Sequence, residues 1–291
     1  MAVKELLCFA KTSTGGVVLP RNLSQHYPDC TYRFDGTNFY YGINSINATH
    51  FAATGTALQG WHQGFFEGVL GELADQERTR VVLGLEPPQQ ANPYTYVSAN
   101  LGLIEQLAGE LAALQARASD MGKTLDIVIR FASEMNVSTA ENKYAGFPTE
   151  YKAAFGQIRQ IFRTVAPNIP FSFSPAIRRD LTVTNLDTYW PGDDVVDLIS
   201  CSWYIGRQSD STTAVARFRT YCRNHVAKGL PFAIDEMGGC ETVNGHGTEG
   251  DRFLQRMHNV VVGLGDEGIE FEYMTIFLES KWGESPTLIW I

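Results

Sequence analysis

From residue 80 onward the chain alternates short apolar runs with segments of helical periodicity, and that alternation constrains the fold more than any other feature. Val81–Glu86 (VVLGLE) is a continuous apolar run that stops at Pro87-Pro88, as a strand buried on both faces would. Leu101, Ile104, Leu107, Ala108, Leu111 and Leu114 then recur at helical spacing, and Gly122-Lys123 stands where that helix should end. Leu125–Phe131 is the next strand. Tyr151, Phe155, Ile158, Phe162 and Val165 mark the next helix, which Pro167 closes. The pattern continues through strands at Phe171–Pro175, Val195–Tyr204, Leu230–Met237 and Phe271–Leu278. Helices over Val215–Val226 and Phe253–Leu264 separate the last three. Strand–helix alternation implies a parallel sheet with crossover helices.

Six strands after residue 80 leave a closed eight-stranded barrel two short. The first 80 residues must supply them, with Glu5–Ala10, Phe39–Ile43 and His50–Thr56 as candidates and a helix over Trp61–Leu73. The expected fold is α/β, a (β/α)₈ TIM barrel, in a single catalytic domain over residues 1–291 with an irregular or divergent first 80. At 291 residues the chain is long enough for one such barrel. An open doubly wound sheet is the alternative, but no GxGxxG or GxxxxGK[ST] occurs.

Composition narrows the partners. The net charge of −9 argues against nucleic acid, which needs a basic footprint, and suits a neutral ligand such as a sugar. No segment approaches the ~20 apolar residues of a membrane span, and no export signal is visible at the N-terminus. Cytoplasmic and secreted locations both stay open. Five cysteines at irregular spacing read as buried thiols rather than a disulfide framework or a zinc site. His50, His62, His225, His246 and His258 are scattered without HxH or HExxH spacing. Asp193-Asp194 after Pro191-Gly192 suits a turn better than a calcium site. No metal or cofactor is expected, and a monomer is.

In a barrel the chemistry lies at the C-terminal ends of the strands. Five of these ends carry carboxylates or aromatics: Glu86, Glu134, Trp203-Tyr204, Asp235-Glu236 and Glu279. Cleaving a glycosidic bond takes two carboxyl groups, one protonated and one ionised, ~5–5.5 Å apart when configuration is retained. By count, Glu134 and Glu236 end the fourth and seventh strands. Each follows an apolar strand, which favours partial desolvation. An inward-facing Arg130 would hold Glu236 ionised. Glu86 reads equally as a substrate contact or as a strand stop before the prolines.

The wording of these segments is specific. Arg130–Asn136 (RFASEMN) resembles the RFxHEMN acid/base motif of glycoside hydrolase family 26, the β-mannanase family of the large retaining-glycosidase clan. Tyr151–Pro175 is similar to that family's next helix and fifth strand, and Tyr189–Tyr204 (YWPGDDVVDLISCSWY) to its YPGDxYVDxxGxxxY segment. Pro231–Gly239 (PFAIDEMGG) is similar to its PxxIxE segment, which holds the nucleophile. The resemblance spans about residues 80–280.

It implies Glu134 as acid/base, Glu236 as nucleophile, Tyr204 as a hydrogen-bond donor to that nucleophile and Trp203 as a sugar-stacking surface. Arg130, Ser133, Asn136, Glu86 and Trp282 are the further substrate-contact candidates. Three departures stand out. Ser133 replaces the His that precedes the acid/base, Val137-Ser138-Thr139 replaces a Gly-Trp, and the last strand ends FLESKW, leaving Phe277 or Trp282 to replace the usual Trp. A retaining, endo-acting β-glycan hydrolase is the function implied. A barrel that binds glycans without cutting them is the alternative, and a metal-dependent barrel hydrolase is a third.

Overall fold

The computed structural model describes residues 3–11, 17–18, 36–42, 60–74, 76–88, 91–137, 144–177, 183–205, 208–239 and 248–278. Strands run over β1 Val3–Lys11, β2 Val17–Val18, β3 Gly36–Gly42, β4 Arg78–Glu86, β5 Thr124–Phe131 and β6 Phe171–Phe173. They continue over β7 Ala176–Ile177, β8 Leu198–Ile199, β9 Ser202–Ile205, β10 Phe232–Gly239 and β11 Phe271–Leu278. The helices are α1 Gly60–Glu72, α2 Pro93–Ala99, α3 Leu101–Asp120, α4 Pro148–Val165, α5 Gln208–His225 and α6 Thr248–Asp266. They group into two compact units, one of residues 1–37, 176–184 and 199–291, the other of residues 38–175 and 185–198.

In the second unit β4 and β5 pair in parallel, from Arg78 opposite Thr124 to Leu85 opposite Phe131. β6 joins β5 in parallel, with Arg130 opposite Ser172. Seven consecutive residues of β4, Thr79 to Leu85, are buried, as befits a strand covered on both faces. The covering helix α3 turns Ile104, Leu107, Ala108, Leu111, Leu114 and Ala118 inward, and a buried Leu or Ile contributes roughly 1.5–3 kcal/mol. It ends where expected, because Gly122 takes the left-handed φ of 71° that a side chain would resist. α4 buries Tyr151, Phe155, Ile158, Arg159 and Phe162. Arg159 donates to Asp197 Oδ1 at 2.9 Å, and the Phe171 N–H donates to Asp197 Oδ2 at 2.8 Å, which ties α4 and β6 to the segment before β8.

The helix α2 has no counterpart in the apolar pattern. Asn92 caps it, accepting from the Tyr94 N–H at 3.1 Å, with Pro93 in the first helical position. Seven residues are too few to show a helical period.

In the first unit β1 pairs in parallel with β11, and β11 with β10. β10 pairs in parallel with β9, placing Glu236 opposite Ser202 and Met237 opposite Trp203. β7 pairs with β9 in the same sense. The single strand expected over Val195–Tyr204 is two short ones, since Ser200 and Cys201 interrupt it. β1 and β3 coincide with two of the strands expected before residue 80, and α1 with the helix. The third candidate, His50–Thr56, lies outside the described residues.

Candidate active site

The strand ends of the second unit build one polar cluster. β5 finishes at Phe131 and turns sharply through Ala132 and Glu134, with φ of 48° and 57°. Left-handed backbone at a residue with a side chain is uncommon and costs on the order of 1–3 kcal/mol, so the surroundings must hold it. Three N–H groups do so. Ala132 donates to the Leu85 carbonyl at 3.0 Å and Glu134 to the Ser174 carbonyl at 3.1 Å. Between them the Ser133 N–H donates to Glu86 Oε1 at 3.2 Å, and the Ser133 hydroxyl donates to the same oxygen. The turn is then followed by a Val137 N–H to Glu134 carbonyl bond of 2.9 Å.

Glu86 is therefore more than a strand stop. Burial pushes its carboxyl up to about 7, against the opposing pull of the Ser133 hydroxyl, the Arg130 guanidinium and the Tyr144 hydroxyl. Aromatic side chains supply the dry surroundings. Tyr94, Phe131, Tyr151 and Phe155 pack edge and face with centroids 5.7–6.2 Å apart. Burial raises the Tyr94 and Tyr151 hydroxyls well above their ordinary range, and the Glu86 charge adds to both shifts. Arg130 is fully buried, and its Nε donates to Ser174 Oγ at 2.8 Å. Its charge thus faces Ser174 and the field of Glu86. Ser133 is buried, while Glu134 and Asn136 are partly exposed. Of the expected site residues, this unit brings together Glu86, Arg130, Ser133 and Glu134.

The first unit carries Glu236 on β10. Glu236 and Asp235 are both buried, at 6% and 0% exposure, and successive strand side chains point to opposite faces. Asp235 is held on its side by two hydroxyls: Tyr273 donates to Oδ1 at 2.6 Å, and Ser200 donates to Oδ2. The Asp235 N–H donates to the Cys201 carbonyl at 3.0 Å, and Tyr221 donates to the Ser200 carbonyl at 2.8 Å. Asp235 thereby anchors the strand behind Glu236. No local motif announced this network, although an Asp in an apolar strand signals a buried partner.

One expectation is corrected. Trp203 offers no face to a sugar: it is 0% exposed, and its ring stacks on Phe218 at 4.0 Å and 10°. Phe218 in turn stacks on Phe271, so Trp203 belongs to the packing of β9 against α5. The side chain of Tyr204, and Trp282, Phe277's side chain and Glu279, lie outside the described residues.

Among the described residues no group of three or more His, Cys, Asp or Glu is arranged to hold a metal ion. Asp193 sits in a turn and accepts from Trp190 Nε1 at 2.8 Å. His225 is buried in the core with Nδ1 2.9 Å from the Tyr221 carbonyl. Cys201 and Cys222 are buried free thiols.

Neither a scan of protein-family models nor a search of curated proteins returns a match. Solved structures do match. GH26C from a Muricauda species shares 12% identity at a TM-score of 0.67, covering 99% of this chain and 80% of that one. A GH26 beta-mannanase from Bacteroides ovatus shares 15% at 0.60, covering 94% and 80%. The catalytic domain of a GH26 endo-beta-1,4-mannanase from a Bacillus species shares 14% at 0.62, covering 99% and 79%. At such identities the likeness establishes the fold: α/β, a (β/α)₈ barrel of the kind found in GH26 structures.

Proposed function

We propose that the chain is a retaining glycoside hydrolase, a single catalytic domain cleaving a β-linked polysaccharide or oligosaccharide. One observation carries this reading. Glu134 stands in the turn that follows the C-terminal end of β5, and Glu236 lies in the C-terminal half of β10, both parallel strands, in a fold shared with solved β-mannanases. That is the end of a (β/α)₈ barrel where chemistry is built. The names those neighbours carry support a β-mannan substrate and endo action as part of this proposal.

In the proposed reaction Glu134 protonates the glycosidic oxygen as the bond to the anomeric carbon breaks. The Glu236 carboxylate attacks that carbon from the opposite face and forms a glycosyl ester. Glu134, now ionised, takes a proton from water, and the water oxygen displaces Glu236. Arg130, Ser133 and Asn136 are the proposed surroundings of the sugar, with Glu86 holding Ser133 from behind, Tyr204 as the proposed hydrogen-bond partner of the nucleophile and Trp282 as a further proposed sugar contact.

The test is hydrolysis of a panel of β-glycans by the wild type, Glu134→Gln, Glu236→Gln and Glu236→Ala. Each substitution is expected to lower kcat/KM by about 10³-fold or more. Azide is expected to restore part of the Glu236→Ala rate, because a small anion replaces the missing nucleophile. Wild-type rates in either Gln variant would overturn the assignment.

A second reading has one observation in its favour. The Ser133 hydroxyl is already committed to Glu86, so it is not free to serve a sugar as the usual histidine would. A glycan-binding module that does not cut would show saturable binding and no turnover across the same panel.

A further inference from the structure

We propose that Glu86 is a positioning residue for Glu134, gripping the middle of the left-handed turn that aims it. The inference rests on reading Glu134 as the acid/base.

The turn Ala132–Glu134 has two residues at positive φ and neither is Gly or Asn, so the sequence alone does not favour it. Its outer N–H groups go to backbone carbonyls, Leu85 on one side and Ser174 on the other. Such bonds are available to any sequence. The central grip is different, because both donors of Ser133 converge on a side-chain oxygen, Glu86 Oε1. That oxygen comes from the last residue of β4, directly beside the strand that feeds the turn. Two donors sharing one side-chain oxygen tie the middle of the turn to a single point on β4. Tyr144 fixes the far side of this corner, donating to the Pro87 carbonyl at 2.9 Å. Ser133 suits the role because its short hydroxyl reaches back to the same oxygen as its own N–H. Glu86 and Ser133 thus form one unit, and the residue before Glu134 works through the backbone.

The experiment reads amide hydrogen exchange at Ser133 together with steady-state kinetics in wild type, Glu86→Gln, Glu86→Asp and Glu86→Ala. In Glu86→Ala the Ser133 amide is expected to exchange about tenfold faster or more, with Ile129 in the adjoining strand unchanged. On a hydrolysed glycan, kcat is expected to fall about 10²-fold with KM nearly constant, since a small misplacement of an acid affects the chemical step. Glu86→Gln keeps an acceptor oxygen in place and is expected to recover both readouts to within about threefold. Should Glu86→Ala fail to fold, Glu86→Asp carries the same test, because it keeps the charge and shortens the reach by one methylene. Unchanged exchange at Ser133 in the Ala or Asp variant overturns the proposal. So does faster exchange with unchanged kcat. The exchange readout needs no turnover. A chain that cuts no glycan would sink the hydrolase reading, while exchange at Ser133 would still decide whether Glu86 grips the turn.

Discussion

Ser133 donates its backbone N–H, at 3.2 Å, and its hydroxyl to one oxygen of Glu86. The pair joins the end of β4 to the turn that presents Glu134. It also leaves a carboxyl among aromatic rings, where burial holds it near neutrality.

That burial predicts a pH dependence of stability. Glu86 is raised to about 7 in the folded chain, against an ordinary glutamate value of about 4.3 when unfolded. The folded state therefore binds more protons than the unfolded state between these values. Stability from this group is fully present below the unfolded value and is lost as pH rises towards 7. The loss is about 4 kcal/mol at most. Urea unfolding from pH 4.5 to 8 should show wild type losing stability relative to Glu86→Gln across that window. Parallel curves would contradict the shift.

Arg130→Met is expected to destabilise by about 1.5–3 kcal/mol, because it removes a buried charge-assisted hydrogen bond and leaves the Ser174 hydroxyl without this donor. The same change should raise the Glu86 titration further, since Arg130 is one of the groups holding it down. Denaturant midpoints and carboxyl titration by NMR check the two parts.

Trp203→Ala is expected to cost about 3–5 kcal/mol, the usual loss for a large aromatic removed from a packed core. Trp203→Phe should retain much of that stability and leave the substrate KM unchanged. A selective loss of glycan affinity in Trp203→Phe would restore the sugar-stacking role.

The Tyr151 hydroxyl is buried with no hydrogen-bond partner among the described residues. Tyr151→Phe removes that cost while keeping the ring contacts with Phe131 and Phe155. A gain of about 1 kcal/mol in urea unfolding is expected. Tyr273→Phe, by contrast, removes a 2.6 Å donor from the buried carboxylate of Asp235. A loss of about 1.5–3 kcal/mol is expected in the same measurement.

Much of the fold was legible because buried parallel strands are written as apolar runs and their covering helices as 3.6-residue periods. β4, β5, β10 and β11 fall on the runs expected, and α3 and α4 stop at the Gly and Pro residues that mark their ends. The period cannot tell which face of a doubly buried strand is which. This is why Trp203 read as a strand-end platform although it packs against Phe218. The Glu86–Ser133 contact was illegible for another reason. It depends on left-handed backbone at Ala132 and Glu134, and neither residue type signals such a turn. The short helix α2 was set by a cap and a proline rather than by a period.

A retaining reaction carried by Glu134 and Glu236 inverts the anomeric carbon twice, so it fixes which anomer is released first. NMR of the anomeric protons during the first minutes of β-glycan hydrolysis reads that anomer. The new reducing end is expected to appear first as the β anomer, with the α anomer growing only as mutarotation proceeds. Initial release of the α anomer would rule out double displacement through these two residues.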